Sequence, residues 1–92
     1  MEEIKQGKGL FFIGEEANPD AEIIYEESGN DTYTITHTGV SDKLKNQGVG
    51  SQLVKRVVDH ARQNDKQIDP VCSFARKKFE ENPSYHDVWK VK

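Results

Sequence analysis

The sequence predicts an α/β (α+β) domain in which a mostly antiparallel sheet carries two helices, in the chain order βββαβα. Two observations support this class. Before residue 41, short apolar runs alternate with turn residues, which is typical of antiparallel strands. After residue 48, the spacing of apolar residues changes to that of an amphipathic helix. With 92 residues, the chain is expected to form a single domain, 1–92.

Three strands are predicted in the first half of the chain. They span residues 10–13, 21–27 and 32–40. The segment ANPD separates the first two, and Pro19 indicates a turn there. In the third strand, TYTITHTGV, alternation places Tyr33, Ile35 and His37 on one face. Short turns between the strands predict an antiparallel meander.

The second half predicts a helix, a strand and a second helix. They span residues 48–64, 67–70 and 74–81. In the long helix, Val49, Leu53 and Val57 share the face that must pack on the sheet. Ser73 is expected to cap the second helix. The aromatic side chains Phe74, Phe79 and Trp89 are interpreted as core.

Charge and composition narrow the possible functions. The net charge of −3 divides into −8 for residues 1–42 and +5 for residues 43–92. The basic half suits an anionic ligand and the acidic half a cationic one, although ordinary solvated surface is the alternative. The acidic meander argues against nucleic acid, and the scattered histidines predict no metal site. Without a long apolar run or a signal-peptide pattern, we expect a cytoplasmic protein with no membrane contact.

A glycine-containing stretch, KNQGVGSQL at residues 45–53, opens the long helix. The first N–H groups of a helix lack partners and carry partial positive charge, so glycines there favour an anion site. The P-loop pattern is absent, and Leu53 stands where the dinucleotide fingerprint needs its third glycine. A tight turn without a ligand is the alternative.

The stretch resembles the acetyl-CoA-binding motif of the GNAT N-acetyltransferase superfamily, [Q/R]-x-x-G-x-[G/A], with Lys45 in place of glutamine or arginine. The resemblance extends over residues 10–85, because T-H-T-x-V precedes the motif and P-x-C-S-F precedes the last helix, as in very small GNAT-like proteins. It implies a compact GNAT-like fold that binds acetyl-CoA as cofactor. The implied cofactor-binding residues are Val40, Lys45, Asn46, Gln47, Gly48, Val49, Gly50 and Ser51.

Three residues are candidates for catalysis. Cys72 precedes a helix N-terminus, which lowers a thiol pKa, so it would serve as nucleophile or proton donor; a small buried hydrophobe is the alternative. His37 would serve as a general base or lie in the core. Tyr85 falls where many family members keep a tyrosine as general acid, and an aromatic anchor is its alternative.

Two functions follow from the resemblance. The first is an N-acetyltransferase acting on a small amine or a protein lysine. The second is a non-catalytic acyl-CoA-binding module for sensing or interaction, because the sequence lacks the pair of N-terminal helices that builds the acceptor side in typical family members. A monomer or weak homodimer is expected in either case.

Overall fold

The computed structural model describes residues 3–90, in which five strands form one mixed sheet that carries two helices. The elements are β1 (Lys5–Gly7), β2 (Leu10–Glu15), β3 (Asn18–Ser28), β4 (Thr32–Val40), α1 (Val49–Gln63), β5 (Gln67–Pro70) and α2 (Ser73–Glu81). Short 3₁₀ turns cover Asp42–Leu44 and Pro83–Tyr85. The predicted α/β (α+β) class is confirmed. The strand β1 precedes the three predicted strands of the meander.

The strands lie in chain order across the sheet, and only the last pair is parallel. Strands β1 to β4 pair antiparallel through short turns, whereas α1 crosses from the end of β4 to the start of β5. The parallel register ends with Ile35 opposite Pro70, and residues 36–40 of β4 continue past the end of β5.

The predicted turn at Pro19 is wrong. The chain turns at residues 16–17, and Pro19 is the second residue of β3, opposite Gly14. A proline is tolerated there because Ala21 already pairs with Val40, the last residue of β4. Pro19 thus lies beyond the end of β4, where no ladder hydrogen bond is required from its nitrogen.

A β-bulge changes which side chains of β4 face the helices. The register shifts next to Ile24, which pairs with His37, while the following residue Tyr25 pairs with Ile35. Strand β4 therefore holds one more residue than β3 at this point, which reverses the alternation of its side chains. The prediction that Tyr33, Ile35 and His37 share a face is wrong for His37. Its side chain is 56% exposed, whereas Ile35 is fully buried.

The core lies between the sheet and the two helices. Helix α1 packs against β2, β3, β4 and β5, and α2 packs against β4 and β5. Each helix buries the face that the periodicity predicts, with Leu53 and Val57 of α1 and Phe79 of α2 fully buried. Phe74 is the exception, because its side chain is 36% exposed and lies outside the core. Ser73 is the first residue of α2 and makes no capping bond, so the prediction of its capping role is wrong.

Within residues 3–90, no helix has the length and apolar character that crossing a membrane requires.

Candidate active site

The loop before α1 is shaped by two residues with left-handed backbone conformations. Gly48 is the N-cap of α1 and has φ +75°, and Asn46 has φ +65°. The carbonyl of Gly48 accepts a hydrogen bond of 3.1 Å from the Gln52 amide, which begins the helix. A side chain at Gly48 would meet no atom within 4 Å. The space above the first amides of α1 is therefore open, in a place where unpaired N–H groups favour an anion.

Gly50 serves a different purpose from Gly48. A Cβ atom at Gly50 would lie 2.6 Å from Cζ of Phe74, which is closer than carbon atoms approach in proteins. The Phe74 ring of α2 therefore packs directly against the α1 backbone at Gly50. Gly48 leaves room for a ligand, while Gly50 allows α2 to dock against the start of α1.

A groove of about 490 Å³ lies at this end of α1. Its lining residues are Thr38, Val40, Leu44, Lys45, Asn46, Gly48, Val49, Gly50, Ser51, Phe74 and Lys78. Seven of the eight predicted cofactor-binding residues are among them. The eighth, Gln47, turns its side chain back to donate a hydrogen bond of 3.1 Å to the Lys43 carbonyl.

Sequence reasoning missed four of these lining residues. They are Thr38, Leu44, Phe74 and Lys78. Thr38 faces the groove only because of the bulge in β4, and the two residues of α2 reach it through packing between elements. The threonine belongs to the T-H-T pattern and Phe74 to P-x-C-S-F, so these motifs were the available signal.

The groove is positively charged although the chain has a net charge of −3. Among its described lining residues, Lys45 and Lys78 are cationic, and none is Asp or Glu. Lys45 makes an ion pair of 3.1 Å with Asp42, but the two side chains are 60% and 95% exposed, so water screens that pair. Together with the α1 N-terminus, the lysines favour an anionic ligand.

Cys72 lies behind the groove wall, at the N-cap of α2. Its thiol donates a hydrogen bond of 3.6 Å to Thr38 Oγ1, and its amide donates one of 3.0 Å to the Ile35 carbonyl. Burial acts to raise the pKa of the thiol. Once the thiol is deprotonated, the Thr38 hydroxyl donates to the sulfur instead. This bond and those from the Ala75 and Phe74 amides outweigh burial and lower that pKa. The structure thus places a half-buried thiol with a lowered pKa next to Thr38, a residue of the groove lining.

His37 lies on the other face of β4. Its Nε2 atom is 3.6 Å from the Glu22 carboxylate, and Glu22 pairs with Gly39 across the sheet. Since Thr38 points into the groove, its neighbour His37 points away from it. The structure therefore does not bring His37 and Cys72 together on the groove side.

Tyr85 is not a groove residue either. Its ring packs 5.5 Å from that of Phe79, and the neighbouring Ser84 carbonyl accepts a hydrogen bond from Arg62 near the end of α1. A helix of 15 residues is about 22 Å long, and the groove lies at its other end. This placement fits the alternative of an aromatic anchor, which the sequence left open.

A family model described as GCN5-related N-acetyl-transferase matches residues 10–88. The chain belongs to the GCN5-related N-acetyltransferase family. The match spans the strands β2 to β5, both helices and the groove between them. The resemblance inferred from the glycine stretch is thereby confirmed at the level of the family.

Two similar proteins differ in how much of their length this chain covers. A GCN5-like protein from Staphylococcus aureus, solved in solution by NMR, shares 51% identity with a TM-score of 0.81; the match covers 95% of this chain and 86% of that one. Protein NATD1 from Xenopus tropicalis is 30% identical over 63 residues, which are 68% of this chain and 58% of NATD1.

The ribosomal-protein-S18-alanine N-acetyltransferase from Escherichia coli has the same fold. Its TM-score is 0.61 at 18% identity, and the match covers 83% of this chain and 53% of the enzyme. This chain therefore spans little more than half the length of that enzyme or of NATD1.

Proposed function

We propose that this protein binds acetyl-CoA in the groove at the start of α1 and transfers the acetyl group to an amine. The observation that carries the proposal is the groove itself. It combines the open amides beyond Gly48 with two lysines, and no Asp or Glu is among its described lining residues. In a member of the GCN5-related N-acetyltransferase family, an anionic acyl donor is the ligand that fits this lining.

The residues present fit the parts of such a donor. The diphosphate suits the amides at the N-terminus of α1, where Gly48 presents no side chain. The pantetheine arm suits the free end of β4, which borders the groove through Thr38 and Val40 beyond the last pair with β5. Acetyl-CoA supplies a thioester, whose carbonyl carbon is the electrophile.

Cys72 is our candidate to attack that carbon; it contacts the groove residue Thr38 from behind and is not itself among the described lining residues. As a thiolate, its sulfur forms a bond to the carbonyl carbon, the bond to the CoA sulfur breaks, and CoA leaves as a thiolate that takes up a proton. A neutral amine then attacks the acetyl group on Cys72, which restores the cysteine thiolate and releases a proton with the amide product. The lowered pKa of the Cys72 thiol supports this role, because the thiolate is the reactive form.

The second candidate function is an acyl-CoA-binding module without turnover. It is favoured by the absence of any α-helix before α1 in the described part of the chain, residues 3–90, where β1 to β4 follow one another through short turns. Larger relatives such as the Escherichia coli enzyme extend well beyond the matched region.

Calorimetric titration with acetyl-CoA, at low and at moderate salt, tests the binding common to both functions. We expect an affinity in the micromolar range that weakens with salt; no heat of binding at millimolar ligand would contradict both. Release of CoA across a panel of amines, measured for the wild type, Cys72→Ala and Cys72→Ser, then separates the two. If the wild type turns over and Cys72→Ala does not, the transferase is supported. If the wild type binds acetyl-CoA tightly but releases CoA only at the background rate, the module is supported.

A further inference from the structure

Helix α2 contributes an aromatic ring and a cation to the groove. Phe74 and Lys78 are separated by four residues, so they share one face of α2. The Lys78 ammonium lies 5.4 Å from the centre of the Phe74 ring, and the far edge of that ring rests against Gly50 of α1. The ring is therefore held between the start of α1 and the lysine, and it supports the ammonium at the groove wall.

Lys78 is the better shielded of the two groove lysines. Its side chain is 24% exposed, compared with 60% for Lys45. Lys78 also makes an ion pair of 3.4 Å with Glu81, whose side chain is 47% exposed and lies outside the groove. A charge with less contact to water acts on a ligand through a lower effective dielectric constant, so Lys78 should attract an anion more strongly than Lys45 does.

We infer that Lys78 binds the diphosphate of the acyl donor together with the amides of α1, with Phe74 as its support. This inference rests on the proposed function. The main phosphate-binding cation is then on α2, four residues beyond the P-x-C-S-F motif. Lys45 of the glycine stretch contributes less to phosphate binding. The contact between Phe74 of α2 and Gly50 of α1 would then help to form the binding site, because it positions Lys78.

The test is the affinity of five proteins for three ligands. The proteins are the wild type, Lys78→Gln, Lys78→Arg, Lys45→Gln and Lys77→Gln. The last is the matched control, because Lys77 is exposed, adjacent and absent from the described groove lining. The ligands are CoA, dephospho-CoA without the 3′-phosphate, and S-acetyl-pantetheine without any phosphate, each titrated into ¹⁵N-labelled protein and followed by NMR.

For Lys78→Gln we expect an affinity for CoA and for dephospho-CoA that is about five- to tenfold weaker, with no change for S-acetyl-pantetheine. Lys45→Gln should lose about twofold or less and Lys77→Gln nothing. Lys78→Arg, which keeps the charge, should restore binding if the amide spectrum shows the fold unchanged.

Three results would overturn the inference while wild-type binding of CoA still stands. The first is an unchanged affinity of Lys78→Gln for CoA. The second is a loss of affinity for S-acetyl-pantetheine in Lys78→Gln that equals its loss for CoA. The third is a loss for CoA but not for dephospho-CoA, which would place the lysine at the 3′-phosphate. A wild type that binds none of the ligands would instead contradict the proposed function.

Discussion

The Sγ atom of Cys72 lies 3.6 Å from Oγ1 of Thr38, although the two residues are 34 positions apart in the chain. One residue precedes α2 and the other follows the bulge in β4. Their contact joins the only cysteine of the sequence to the wall of the groove. It also contributes to lowering the pKa of the thiol, together with the amides at the start of α2.

The first prediction concerns this contact. The rate of Cys72 alkylation by iodoacetamide, measured against pH, should reach half its maximum below the ~8.5 of a free cysteine. Thr38→Val should move that midpoint upward and slow alkylation at pH 7.5 by about threefold, because the thiolate loses one hydrogen-bond donor. Thr36→Val is the control, since its hydroxyl bonds to the Ile24 carbonyl and should leave the midpoint unchanged. A midpoint at or above the free value in the wild type would count against an activated thiol.

The second prediction separates backbone strain from ligand binding at Gly48. Gly48→Glu and Gly29→Glu place the same side chain at residues with φ +75° and +67°, each with open space around it. Both should cost about 1 kcal/mol of stability in urea unfolding, because a side chain disfavours this conformation. Only Gly48→Glu should abolish acetyl-CoA binding, since Gly29 lies in the turn between β3 and β4, away from the groove. Equal affinities in the two variants would move the anion site elsewhere.

The third prediction tests the packing of Phe74 on Gly50. Gly50→Ala should destabilise the protein by up to about 1 kcal/mol, because the new methyl group would lie 2.6 Å from Cζ of Phe74 and must displace that partly exposed ring. In a Phe74→Ala background the same change should become neutral or stabilise by up to about 1 kcal/mol, since alanine favours a helix over glycine. Urea unfolding of the four proteins forms a double-mutant cycle. Additive effects would mean that the ring and the glycine do not interact.

The fourth prediction concerns the ion pair that holds the C-terminal segment to the end of α1. Arg62 donates to both carboxylate oxygens of Asp87, at 3.0 and 2.8 Å, and these bonds lower the pKa of Asp87. The contribution to stability is therefore complete above the unfolded pKa of ~3.9 and is lost as the pH falls through the lower folded value.

Because the side chains are 39% and 56% exposed, solvent limits this effect. Asp87→Asn should lower the free energy of unfolding by at most about 1 kcal/mol at pH 7 and should not change it near pH 2. Thermal unfolding measured at several pH values checks this. Glu80→Gln removes one exposed contact of 3.8 Å with Arg76 and should change stability by only a few tenths of a kcal/mol. A loss for Asp87→Asn that does not shrink at low pH would show that the pair does not act through its charge.

The sequence by itself determined those features whose cause is local. The face of α1 that carries Leu53 and Val57 could be identified because helical periodicity places residues three and four apart on one side. The start of the long helix near Gly48 could be identified because the change from strand to helix periodicity depends only on neighbouring residues. The family resemblance followed from the same stretch, since it is contiguous in the chain.

Only the tertiary structure decided which distant side chains meet. One extra residue in β4 turned His37 out of the groove side and Thr38 into it, and this bulge depends on register with β3, which spacing within β4 does not encode. Phe74 lies at the groove and not in the core because α2 docks against Gly50. Tyr85 packs near the far end of α1 for a similar reason, through Phe79 and the bond from Arg62 to Ser84. These contacts join segments that are far apart in the chain and meet only when the sheet and both helices have assembled. The local sequence pattern could therefore identify candidate site residues but not which residues they contact.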